Sequence, residues 1–82
     1  MTYVTIRDQF LQANDGNPVF AASALALALM EDGPNFKKGY PKESAVLTAI
    51  EQIGSPLDVD SPSDVETITH AVNVALQNRG IA

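Results

Sequence analysis

The chain has 82 residues, no cysteine, and ten acidic against five basic side chains, for a net charge of −5. That length supports one domain, and without cysteine there is no disulfide scaffold, thiolate nucleophile or cysteine-based zinc site. Phosphate neutralisation draws on Lys and Arg, so five of them in an acidic chain argue against nucleic acid as a partner.

A hydrophobic fraction of 45% is ordinary for a folded domain. The start, Met1-Thr2-Tyr3-Val4-Thr5, has no basic stretch leading into an apolar run, so no secretory signal is expected. The longest apolar run, residues 18–30, falls short of the roughly 20 residues needed to cross a bilayer. The expectation is a cytoplasmic protein with no membrane partner. Asp15-Gly16-Asn17-Pro18, Asp32-Gly33-Pro34, Gly39-Tyr40-Pro41, Gly54-Ser55-Pro56 and Ser61-Pro62 are turn or helix-boundary signals, and they divide the chain into four segments.

The first segment, about 3–14, places Tyr3, Ile6, Phe10 and Ala13 on one helical stripe, with Thr5 and Asp8 spaced as a capping box. The β-branched residues between Thr2 and Ile6 leave a short extended start as the alternative.

The second segment, 18–31, opens with Asn17 as N-cap and Pro18 at the first helical position. Its alternating Leu25, Leu27 and Leu29 would suit a strand, but five alanines and its length decide for helix. At 100° per residue, Phe20, Ala24 and Leu27 share one side, and Leu25 and Leu29 lie nearly opposite. Val19 and Met30 fill a third direction, Ala21 and Ala28 a fourth. Ser23 is the one polar side chain between Pro18 and Met30. A helix apolar all round belongs in the interior, covered on every side.

The third segment, 41–53, sets Val46, Ile50 and Ile53 on a buried stripe with Leu47 and Ala49 at its edges. Tyr40 is the expected N-cap, Glu43 the N3 residue and Gly54 the left-handed stop. The fourth segment, 62–79, is capped by Ser61, begins at Pro62 and carries acidic residues in its first turn, where the helix dipole favours them. Val65, Ile68, Val72, Ala75 and Leu76 form its buried stripe. Val74 points the other way, beside His70, Thr67 and Gln77.

Candidate chemistry is sparse. Asp58, Asp60, Asp64 and Glu66 alternate somewhat like a calcium loop, but Ser63 stands where the turning glycine belongs and Thr69 where the bidentate Glu belongs. Helix capping accounts for them, and no metal or cofactor is expected. His70 is the lone histidine, on a polar face with no nucleophile near it in sequence. The stretch 35–42 interleaves Phe36 and Tyr40 with Lys37, Lys38 and Lys42, a combination that serves either as a binding loop or as a solvated loop over satellite core.

The sequence therefore predicts an all-α single domain spanning 1–82: four short helices with the Ala/Leu helix central. It predicts a non-catalytic protein-interaction module of adaptor, accessory or inhibitor type. The candidate partner-binding residues are Phe36, Lys37, Lys38, Tyr40, Lys42, His70 and Val74. A protein partner is expected, and homodimerisation through the second helix or the Val74 face is a further option. Two alternatives stand beside that reading: a carrier of a small apolar ligand or lipid in a cavity around the second helix, and an acidic inhibitor that mimics nucleic acid.

Overall fold

The four helices form between the Gly/Pro signals: α1 (Ile6–Ala13), α2 (Pro18–Met30), α3 (Lys42–Ile53) and α4 (Pro62–Asn78). The computed structural model describes residues 5–31, 40–78 and 80, and no strand occurs among them. The chain is an all-α bundle.

Local chemistry sets each boundary. The Asp8 N–H donates to Thr5 Oγ1 at 3.1 Å, so α1 is capped at Thr5. Its exit turns on two left-handed residues, Asp15 at φ 57° and Gly16 at φ 76°. The Gly16 N–H reaches back to the Leu11 carbonyl at 2.7 Å, the closing bond of a Schellman turn. Asn17 Oδ1 accepts from the Phe20 N–H at 3.1 Å and Pro18 begins α2, as the sequence predicts. Ser61 Oγ accepts from the Asp64 N–H at 3.3 Å, and the Asp64 carboxylate in turn accepts from the Asp58 N–H at 3.0 Å. The acidic residues before α4 thus fold its entry loop.

Helix α3 differs at both ends. Pro41, not Tyr40, is the N-cap: its ψ of 149° is extended, and its carbonyl accepts the first helical bond from the Ala45 N–H. No side chain caps this end, since neither Tyr nor Pro offers a short side-chain acceptor. Glu43 consequently sits at N2. Gly54 ends the helix at φ 70° and ψ −158°, a region essentially reserved for glycine, instead of the left-handed helical region. The peptide that follows, Ser55–Pro56, is cis.

Because α2 presents apolar groups in every direction, it takes the centre and packs on α1, α3 and α4. Its closest partner is α3. Both helices carry fully buried alanines, Ala21, Ala22 and Ala26 on α2 and Ala45 and Ala49 on α3, and such small side chains let two backbones approach. Leu25, Val46, Ile50, Ile53, Ile68 and Val72 supply the bulk of the core. Leu57, from the loop between α3 and α4, closes the core from outside any helix. Ser23 is buried without penalty because its hydroxyl donates to the Val19 carbonyl at 2.7 Å.

Helix α1 is the exception to the predicted stripes. None of its residues is fully buried; Phe10 and Leu11 pack on the core, while Ile6 and Ala13 face solvent. The packing face therefore lies about 70° round from the predicted one, toward Leu11, and Tyr3 lies outside the described residues. A hydrogen bond of 2.7 Å from Arg7 Nε to the Ile53 carbonyl pins α1 to the last turn of α3. The cationic side chain there meets the negative end of the α3 dipole.

Candidate interaction surface

Helix α1 packs on α2 and α3, while its backbone stays apart from that of α4. With eight residues it is about 12 Å long, less than half the length of the 17-residue α4. Among the described residues, no helix covers the side of α2 between these two. Sequence reasoning placed cover on every side of α2; in the structure Phe20 is 59% exposed and Ala24 and Ala28 are half-buried. Three helices supply three walls, and the fourth direction opens to solvent.

Across this gap stands the outward side of α4, with Val74 40% exposed. Phe20, Ala24 and Leu27 of α2 and Ala71, Val74 and Ala75 of α4 together line one open groove of about 390 Å³. The sequence offered the second helix and the Val74 face as separate docking options, and the fold brings them together. Asn14, Ser23 and Asn78 complete the lining, in which no described residue is charged. Two of these polar groups are already engaged: the Ser23 hydroxyl on Val19, and the Asn14 Nδ2 on the Phe10 carbonyl at 2.8 Å. What the groove offers is apolar contact.

A second surface lies on the other flank of α4, toward α3. Leu47, 43% exposed, and Val65 line a hollow of about 320 Å³ together with Glu43. Val65 also borders an adjoining hollow of about 520 Å³ that includes Val59, Asp60, Glu66 and His70. This surface mixes apolar side chains with carboxylates, unlike the uncharged groove.

The predicted partner-binding residues fall in three places. Val74 lies in the groove, as above. His70 is exposed on the second surface, and Lys42 Nζ donates to Asn73 Oδ1 at 2.7 Å, a tie between α3 and α4. Tyr40 is 38% exposed, ahead of α3. Phe36, Lys37 and Lys38 lie outside the described residues. Phe20 and Leu47 were missed as contact residues. Sequence patterning puts Phe20 in the interior, because nothing local marks which side of a uniformly apolar helix stays open.

Among the described residues no cluster of His, Asp or Glu is arranged to hold a metal ion, and no helix is long and apolar enough to cross a membrane. Comparison with protein-family models, with curated proteins and with solved structures finds no match to this chain.

Proposed function

We propose that the chain is a non-catalytic protein-interaction module that docks through the groove between α2 and α4, and that a second copy of the chain is its occupant. The observation that carries this reading is the open fourth side of α2, where Phe20 stands 59% exposed beside Val74. The groove holds both a projecting ring and a hollow floored by Ala24, Ala71 and Ala75, so a two-fold arrangement lays each Phe20 on the partner's alanines. Charge favours the same face. Two molecules of net charge −5 approach with least repulsion through a surface on which no described residue is charged.

The magnitude points to a weak dimer. A Phe side chain with 59% of its area exposed has roughly 120 Å² to bury, worth about 3 kcal/mol, or about 6 kcal/mol for the two-fold pair. Association costs about 4–15 kcal/mol before any surplus appears. Val74 and the alanine floor must supply the remainder, which places assembly in the micromolar range or above. The absence of cysteine from the sequence suits a reducing compartment, and a cytoplasmic site of action belongs to the proposal.

Sedimentation equilibrium from low micromolar to several hundred micromolar protein tests it. The supporting result is a monomer–dimer equilibrium that Val74→Glu abolishes while the helical circular dichroism is unchanged. A wild type that stays monomeric across that range, or a dimer indifferent to Val74→Glu, overturns the reading. Saturable uptake of an apolar fluorophore by the monomer, lost in Val74→Glu, would assign the groove to a small ligand instead.

A further inference from the structure

We propose that the α3–α4 surface is a second docking site, and that it takes a basic amphipathic helical segment of a protein partner. The apolar part of the surface is Leu47 and Val59, both partly exposed, with Val65 between the two hollows they border. Glu43 stands one turn before Leu47 on α3, Glu66 adjoins Val65 on α4, and Asp60 lies beside Val59 in the loop. Each apolar contact therefore has a carboxylate next to it.

That pairing selects the partner's chemistry. A wholly apolar segment would press against three carboxylates and strip their water without compensation. A segment bearing Glu or Asp would meet like charge, at close range and from the net −5 of the whole chain. A helix with Leu or Ile on one face and Lys or Arg along its edges buries the apolar residues and leaves its cations at the rim. Lys42, the described lysine on this side, keeps its charge while it donates to the neutral Asn73 Oδ1 at 2.7 Å, so the three carboxylates outweigh it and the surface stays net acidic. The uncharged α2–α4 groove has none of this selectivity, so the two flanks of α4 address different occupants, and this proposal does not depend on the dimer.

The test uses a fluorescein-labelled amphipathic Leu/Lys helix of about 14 residues and a Leu/Glu peptide of matched pattern, followed by anisotropy against the full chain. The expected result is saturable binding of the Leu/Lys peptide, weakening as salt is raised, and no binding of the Leu/Glu peptide. Glu43→Gln with Glu66→Gln should weaken binding about 3- to 10-fold, as two rim ion pairs would. Leu47→Ser should weaken it as well. Asp8→Asn with Asp15→Asn changes the net charge equally, at α1 and its exit turn, and should leave affinity within about 2-fold, the difference that a surface charge beyond a Debye length makes.

Equal weakening by the two charge-matched pairs would show attraction to net charge alone and overturn the proposal. So would binding of both peptides alike, or indifference to Leu47→Ser. Loss of binding in Val74→Ser, a groove substitution, would place the peptide between α2 and α4 and also overturn it. All substituted side chains are partly or fully exposed, so circular dichroism should be unchanged in each variant.

Discussion

Two residues of α2, five apart, should respond in opposite ways to the same introduced charge. Leu25 is 1% exposed and Phe20 is 59% exposed. Leu25→Glu loses about 2–3 kcal/mol of apolar burial. It also forces a carboxyl to be neutral in the interior, and protonating a group of ordinary pKa near 4.3 at pH 7 costs about 3.5 kcal/mol. The sum, about 6 kcal/mol before the desolvation of the neutral carboxyl is added, is comparable with the roughly 4–12 kcal/mol of total stability expected for a chain of 82 residues. Phe20→Glu removes only the covered part of the ring, roughly 80 Å² or about 2 kcal/mol. Position 20 is also the N3 site of a helix capped by Asn17, where a glutamate returns about 0.3–1 kcal/mol through the dipole and can close a capping box. Thermal denaturation followed by circular dichroism at neutral pH should show Leu25→Glu without a cooperative transition. Phe20→Glu should keep the fold, with a melting temperature lower by about 4–12 °C, and should sediment as a monomer. A folded Leu25→Glu protein, or a Phe20→Glu protein that fails to fold, would refute the assignment of which side of α2 is covered.

Backbone and tether predictions follow from the turns and from Arg7. Asp15 holds φ 57° where glycine is at ease, so Asp15→Gly should raise stability by about 0.5–1 kcal/mol, measured by urea unfolding. Gly54→Ala should lower it by about 1–3 kcal/mol. The cause is dihedral strain at φ 70° and ψ −158°, since the nearest atom to an added Cβ is the Glu51 carbonyl oxygen at 3.9 Å. Arg7→Met keeps the length of the side chain but deletes the donor to the Ile53 carbonyl, and should cost about 1–2 kcal/mol in the same assay.

Much of this fold is written in local signals. Asn17-Pro18 and Ser61-Pro62 start their helices because an acceptor side chain and a proline act within three residues of themselves. The core stripe of α4 is legible because Ile68, Val72 and Leu76 recur every four residues on a helix that is polar elsewhere. What escaped depends on tertiary placement. Arg7 and Ile53 are 46 residues apart, and no spacing rule links a side chain to a distant carbonyl. Leu57 stands alone between turn residues, where periodicity has nothing to act on. The candidate groove needed two facts absent from either segment: α1 is short, and Val74 faces the open side of α2. Its half on α4 was singled out from sequence because Val74 is apolar on a polar face. Its half on α2 is legible only as the helix and not as a face or a residue, since an apolar residue on an apolar helix gives no contrast.

The Arg7 bond to Ile53 has a further consequence for how the protein opens. With no fully buried side chain, α1 is held among the described residues by Phe10, Leu11 and this polar tether, while α2, α3 and α4 lock together through their interiors. Such an element forms its own cooperative unit and detaches at a free energy below that of global unfolding. Amide hydrogen exchange should show α1 exchanging in a faster class than α2, and Arg7→Met should quicken α1 alone. Each time α1 lifts, a second apolar side of α2 meets water. The helix that the other three are built around would then be, for that moment, the stickiest surface on the molecule.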